Sequence, residues 1–468
     1  MELITSHLFV TYFFVITTAI LIFLAISHIL YQKHSPSSMI SWLISVFFLP
    51  YVAVPLYFLL GTRKREGKKQ KSFVTFDKAD QEHPYIIKDI RHSTIEILKK
   101  NGMPPATKAN RYRLITSDVD AYQLLIEQIE AAQKSINICT YLFTYDQTTE
   151  VILEKLSMKA KEGIKVRLLF DLVGSFGPYL HQKPFQKLRE AGGEVIFFVP
   201  FLSRPFQSYV NLRNHRKIYL FDHNRLLSGG MNLSNAYLGK KDGSKRWKDI
   251  MYYLEGPSVV HFYHIFMNDW MYATGETLLF QTDIKENFDG RDIVQVVPSG
   301  PDIPRDALYE AMLSAIYESK ERIWIVTPYF VPDENILKAL IIAHHKGVDV
   351  KLITPKKSDH LIADLARSSY MRELGEAGID VVLYEEKMLH AKAIIFDASS
   401  GMVGSVNLDN RSLFFNYEVV TFVYSRERIT QIELWMRDLM KNVTIGLAHP
   451  PKVREAIENI MKVFAPLL

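Results

Sequence analysis

"NHRKIYLFDHNRLLSGGMN" (residues 214–232) and "LHAKAIIFDASSGMVGSVN" (residues 389–407) carry one sparse pattern in two places. Each holds a histidine and a lysine two apart (His215 and Lys217; His390 and Lys392), then an aspartate (Asp222; Asp397). A small-residue turn ending in asparagine follows, Gly229 to Asn232 and Gly404 to Asn407. Side chains alternate faces along a strand, so each His would share a face with its Lys. One His-x-Lys is an accident of composition. Two copies with the same later aspartate and the same turn imply two half-sites that must meet face to face.

The surroundings repeat as well. "DAYQLLIEQIEAAQKS" (120–135) places Leu124, Leu125, Ile129 and Ala132 on one helical face, and "SINICTYLF" (135–143) reads as a strand. "DALYEAMLSAIYESKERIWIVTPYF" (306–330) matches that pair, "HHKGVDVKLITP" (344–355) matches "AKEGIKVRLLFD" (160–171), and "LGEAGIDVVLY" (374–384) matches "LREAGGEVIFF" (188–198). A unit of more than about a hundred residues is too long for a solenoid repeat. The expected fold is therefore α/β, with two duplicated domains at 111–285 and 286–468. Each is a mixed β-sheet flanked by helices, and a pseudo-twofold axis relates them; the break lies near "FQTDIKENFDGRD" (280–292).

Leu8 to Leu30 and Met39 to Leu60 contain no formally charged residue. At about 1.5 Å per residue each run approaches the ~30 Å of a hydrocarbon core. Residues 1–62 are read as a transmembrane helical hairpin, with spans at about 8–30 and 39–60, the second distorted by Pro50 and Pro55. A cleaved signal peptide fits poorly, because "MELITSH" holds Glu2 and no basic residue. Arg63, Lys64, Arg65, Lys68, Lys69 and Lys71 follow the second run against Glu66 alone, whereas the link between the runs has only Lys33. That asymmetry is expected to put both termini and the whole soluble portion in the cytoplasm. Residues 63–110 become a basic juxtamembrane linker and a connecting helix, the linker suited to anionic lipid. Within it, 83–102 reads as a helix packed on the domain rather than on the membrane.

Imidazole titrates near neutrality, so one histidine can attack while its twin donates a proton. Lysines and amides supply fixed positive charge where a phosphoryl group gains negative charge, and the small-residue turns add backbone N–H groups, Asn232, Asn407 and the Ser405 hydroxyl. This is the equipment of a phosphodiester transferase or hydrolase working through a phosphohistidine. No ligand set at zinc-like spacing accompanies either motif and lysine is a poor ligand, so neither metal nor cofactor is expected. The single cysteine, Cys139, rules out an intramolecular disulfide framework. A net charge of +5 over 468 residues, with no basic-aromatic run, gives no sign of a nucleic-acid partner.

The pattern H-x-K-x4-D-x6-G-[GS]-x-N, present twice, is similar to that of the phospholipase D superfamily. The order of features resembles the bacterial cardiolipin synthases over essentially the whole chain: "SWLISVFFLPYVAVPLYFLLGTR", "YLFTYD", "TPYFVPD", "NLRNHRKI", "RWKDIMYYLEGPSV", "NDW", "DNRSLFFNYEV" and a terminal "APLL". Gly230 stands where the superfamily often has Ser. The resemblance implies two phospholipase D-like domains joining two phosphatidylglycerols into cardiolipin and glycerol, in a multi-pass protein of the bacterial cell membrane. It implies a catalytic set of His215, Lys217, Asp222, His390, Lys392 and Asp397, with His215 attacking phosphorus and His390 serving the leaving and entering oxygens. Asn232, Ser405 and Asn407 would bind phosphate, and Asp249 and Glu418 would orient the histidines. Asp222 and Asp397 fit bracing of the local fold better than contact with substrate. Expected partners are phosphatidylglycerol and anionic membrane lipid, and a homo-oligomer is allowed. Hydrolysis, transfer to another acceptor and a membrane-tethered nuclease of the same superfamily remain open alternatives.

Overall fold

The computed structural model describes residues 2–31, 36–60, 74, 76, 85–87, 92–198, 212–278 and 288–464. The basic run after Leu60, Lys33 in the interspan link, most of the break near 280–292 and the terminal "APLL" lie outside the described residues.

Helix α1 (Glu2–Tyr31) includes Thr11–Tyr31, the one stretch among the described residues long and apolar enough to cross a membrane, with a mean hydropathy of 2.5. The second apolar run is not one helix. It forms α2 (Pro36–Phe48) and α3 (Pro50–Leu60), which meet at Leu49. Pro50 has no N–H to give and its ring crowds the preceding turn, so the helix must restart there. Leu49 N–H still reaches the Ser45 carbonyl at 2.9 Å, and Ala53 N–H reaches that of Leu49 at 2.7 Å. The three helices close on Ala25, Ile29, Trp42, Val46 and Tyr57. Trp42 meets Tyr57 edge-to-face at 5.2 Å, while Ile44, Phe47 and Phe48 stay exposed.

Helix α4 (Ser93–Lys100) buries Ile95 and Leu98. The first half then runs β1 (Thr107–Ile115), α5 (Asp118–Ala131), β2 (Ser135–Thr140), α6 (Gln147–Lys161), β3 (Lys165–Asp171), β4 (Glu194–Phe198), β5 (Ile218–Phe221), β6 (Arg225–Gly229), β7 (Met251–Glu255) and α7 (Val259–Thr274). Capping starts the helices where the sequence changes period. Ser117 accepts from Asp120 N–H ahead of α5, and Asp146 forms a capping box with Thr149 ahead of α6. Strand β2, "SINICT", is buried on both faces and carries Cys139, as suits a central strand.

The second half repeats the order as β8 (Asp292–Ser299), α8 (Ala307–Glu318), β9 (Arg322–Val326), β10 (Phe330–Val331), α9 (Glu334–His345), β11 (Asp349–Pro355), α10 (Leu361–Glu376), β12 (Asp380–Tyr384), β13 (Ala393–Phe396), β14 (Ser400–Gly404), β15 (Leu408–Asp409), β16 (Glu418–Val423), α11 (Arg426–Leu439), β17 (Val443–Ile445) and α12 (Lys452–Phe464). Among the described residues, fifteen strands make one sheet and β10 and β15 form a separate pair. Outward from the β1–β8 junction, one side reads β1-β7-β6-β5-β2-β3-β4 and the other β8-β16-β14-β13-β9-β11-β12-β17. Each side combines three parallel strands with an antiparallel remainder, a mixed sheet in both cases. Strand β1 serves both sides, pairing through 111–115 with β7 and through Thr107 and Asn110 with β8, so a boundary between 110 and 111 falls inside a strand. Helix α4 packs on α8, where Asn101 Nδ2 donates to Glu310 at 2.8 Å.

Candidate active site

Both His-x-Lys segments stop one residue short of a strand. Strand β5 starts at Ile218, just past Lys217, and β13 at Ala393, just past Lys392. The reason is that the histidine backbones pair across the molecule instead of along the sheet. His215 N–H donates to the Tyr417 carbonyl at 2.9 Å, and Tyr417 N–H returns to Arg213. His390 N–H donates to Lys248 at 2.8 Å, and Lys248 N–H returns to Met388 at 2.7 Å. Each histidine is thus stitched to the segment of the other half that immediately precedes a buried carboxylate.

Those carboxylates complete the crossing. Asp249, from the first half, lies 2.8 Å from Nδ1 of His390. Glu418, from the second, lies 3.1 Å from Nδ1 of His215. Lys217 donates to the His215 carbonyl at 2.8 Å, and Lys392 Nζ stands 3.0 Å from Nε2 of His390 while donating to its carbonyl. Both lysines are buried. Burial, and after it the Lys217 charge, push Lys392 down to about 7 against the pull of Asp249. Burial and Lys392 push His390 down to about 4, opposed by its hydrogen bond to Asp249. Burial raises Asp249, but His390 and Lys392 outweigh it and hold the carboxyl below its ordinary value.

Asn232 is buried, and its Oδ1 accepts from Leu142 N–H and the Thr140 hydroxyl, both at 3.2 Å. That leaves the NH2 edge as its donor side. Asn407 is buried in the corresponding turn. Ser405 departs from the expectation that it binds phosphate. Its hydroxyl donates to the Val419 carbonyl at 3.2 Å and accepts from Val419 N–H at 3.1 Å, so it is a ladder residue holding the strand that begins with Glu418. Gly230 stands at the matching place in the first half. A Cβ there would lie 2.1 Å from Oδ1 of Asp249. The shorter acid needs the space that serine would fill.

Asp222 and Asp397 leave the catalytic set for a geometric reason. At about 3.3 Å per residue they fall some 16 Å along the chain from their lysines, beyond the far end of β5 and β13. Asp222 accepts backbone N–H groups of Gln133, Lys134 and Ser135, with Arg225 at 2.6 Å. Asp397 does the same for Lys320, Glu321 and Arg322.

Several site neighbours were not singled out from the sequence. The Tyr141 ring lies 4.0 Å from that of His215, centroid to centroid, and Asn416 Nδ2 approaches His215 Nδ1 at 3.4 Å. Trp247 and Tyr237 flank His390 at 5.2 and 5.3 Å. Asp171, ending β3, accepts Asn214 N–H at 2.8 Å. Its counterpart in the duplicated strand is Pro355, so comparing the halves gives no signal for it.

A family model described as "Cardiolipin synthase, PLD-like domain" matches residues 125–270 and 312–440, and one described as "Phospholipase_D-nuclease N-terminal" matches residues 20–61. The chain is 32% identical over 473 residues to a cardiolipin synthase of Alkalihalophilus pseudofirmus, covering 97% of this chain and 93% of that one. It is 31% identical over 456 residues to a cardiolipin synthase of a Geobacillus species, covering 93% and 90%. Among solved structures, the phosphatidylserine synthase of Haemophilus influenzae shares the fold, with a TM-score of 0.62 at 15% identity over 81% of this chain and 100% of that chain. Two motif copies in one mixed sheet, matched by one family model on both halves, have a single explanation: the chain belongs to the cardiolipin synthase family of phospholipase D-like proteins.

Proposed function

We propose that this protein is a cardiolipin synthase, moving the phosphatidyl group of one phosphatidylglycerol onto a hydroxyl of a second and releasing glycerol. The observation that carries the reading is the crossed pairing, Asp249 with His390 and Glu418 with His215, which supports one phosphorus lying between both imidazoles.

In this reading His215 attacks phosphorus, forming a P–N bond as the P–O bond to glycerol breaks. The imidazolium of His390 gives its proton to the departing oxygen. The hydroxyl of the second lipid then attacks; His390 takes back a proton, the P–N bond breaks and His215 is freed. Lys217, Lys392, Asn232 and Asn407 meet the charge gathering on the phosphoryl oxygens. Asp249, hydrogen-bonded to Nδ1 of His390, leaves Nε2 of that ring to react, and Glu418 stands beside Nδ1 of His215. Held at about 4, His390 is neutral near pH 7 before substrate binds. It gains its proton with the substrate, whose anionic phosphodiester offsets Lys392 while Asp249 holds the imidazolium.

The matching strand orders support halves related by a pseudo-twofold axis. We read α1 and the broken pair α2–α3 as a membrane hairpin, with the catalytic halves on the cytoplasmic side selected by the basic run at 63–71.

The test is headgroup-labelled phosphatidylglycerol followed by thin-layer chromatography. Cardiolipin and free glycerol are expected in equal amounts, unaffected by EDTA. His215→Ala, which removes the nucleophile, should abolish turnover, and His390→Ala should lower the rate by at least about a hundredfold, the scale of a lost proton-transfer group. Phosphatidic acid without cardiolipin would make water the acceptor and overturn the transferase.

A further inference from the structure

We propose that α12 is a lipid-facing helix, its Val453, Ile457 and Ile460 side chains resting in the interfacial layer of the bilayer. These residues recur at i, i+4 and i+7 and share one face; Arg454, Glu458 and Lys462 share the other. A helix on a soluble domain turns its apolar stripe inward. This one is mounted the other way round. Glu458, only 1% exposed, is gripped by Arg372 of α10 at 2.5 Å and by Arg454 at 2.8 Å. Lys462 reaches Glu373 of α10 at 2.7 Å and stands 5.0 Å above the Tyr370 ring. Val453, Ile457 and Ile460 are left 75%, 44% and 58% exposed.

The bilayer is the occupant that this position favours. Besides α10, α12 packs against α2, which itself packs on the membrane-length helix α1 and exposes Ile44, Phe47 and Phe48. The outward apolar stripe therefore continues the exposed apolar surface of α2, which the proposed membrane hairpin turns toward lipid, and Lys452 is exposed at its start, as suits anionic headgroups. The mounting also reaches the active site. Helix α10 begins directly after Asp359 and His360; Asp359 holds the Tyr329 hydroxyl and acts electrostatically on Lys392. An ion-paired α12 would thus fix the height of the catalytic centre above the lipid through α10.

The experiment uses the full-length chain in proteoliposomes of phosphatidylglycerol and phosphatidylethanolamine. Because Cys139 is buried, an introduced cysteine takes an environment-sensitive fluorophore selectively. Ile457→Cys, Ile460→Cys and, on the polar side, Asn459→Cys are compared using lipids carrying nitroxide on their acyl chains. Quenching at 457 and 460 several-fold above that at 459 is expected. Equal quenching at all three would overturn the proposal. So would shielding of 457 that follows protein concentration without nitroxide quenching, which would assign the face to a second copy. Ile457→Gln, a mild change, should reduce turnover of vesicle-borne lipid but not of a dispersed short-chain analogue. The quenching comparison is repeated in His215→Ala, where it should persist, so that contact with lipid is judged separately from chemistry.

Discussion

Gly230 and Asp249, set beside Ser405 and Glu418, show how two copies of a motif settle one steric problem in two ways. In the first half a short acid and a bare glycine share a space; in the second a longer acid sits beside a serine that hydrogen-bonds its strand. Gly230→Ser alone should displace Asp249 and loosen His390, lowering turnover by roughly ten- to a hundredfold, in line with loss of an orienting partner. Adding Asp249→Glu should recover most of it, and steady-state kinetics of the single and double variants check this. His390 offers a second test. Held at about 4, it is unprotonated at pH 6 in the free enzyme, whereas Lys392 at about 7 is mostly charged there. Binding an unreactive phosphonate lipid at pH 6 should therefore take up close to one proton, read by calorimetry in buffers of different ionisation enthalpy, and His390→Gln should abolish the uptake. The histidines, lysines and asparagines were legible because they occur twice, and Asp249 and Glu418 through resemblance. Tyr141, Trp247 and Asn416 were not, since each works for one half alone.

Strands β5 and β13 explain why the motif continues past its chemistry. Their aspartates sit in left-handed backbone, φ 52° at Asp222 and 53° at Asp397, and cap the turns that lead into β2 and β9. Asp222→Asn and Asp397→Asn should each lower stability by about 1 kcal/mol, as half-exposed backbone donors exchange a charged acceptor for a neutral one, while the folded fraction keeps its kcat. Backbone N–H groups and Arg225 hold Asp222 below the usual carboxylate range, overcoming burial. Its contribution is present above the unfolded carboxylate value and lost as pH falls through the folded one, so thermal melts of Asp222→Asn and the parent should converge in acid. The alternation of "HRKIYLF" marked a strand correctly but started it early, because cross-molecule pairing of His215 cannot be read from a local pattern. Pro50 and Pro55 signal in sequence only a distorted single span, whereas Pro50 restarts the helix and Pro55 is taken up inside α3. Helix α12 gave no such warning, since an amphipathic period does not say which face turns inward.

Arg216, between His215 and Lys217, joins the halves from within. It is fully buried, with Asp269 at 2.7 Å, Asp302 at 3.0 Å and the Glu418 carbonyl at 3.1 Å. Arg216→Met should destabilise the protein by about 3–5 kcal/mol, because two buried carboxylates lose their counter-charge. Asp269→Asn with Asp302→Asn in the same chain should recover part of that loss in detergent-solubilised melts followed by tryptophan fluorescence. The duplication was legible in sequence; the merging of both copies into one sheet was not, because β1 and β8 meet through an irregular pair over a few residues. That shared ladder has a dynamic corollary. Halves that share a backbone ladder resist opening like jaws, so admission of lipid and escape of glycerol would rest on side chains and loops around the crossed histidines. A crosslink between β1 and β8 should then leave turnover unchanged.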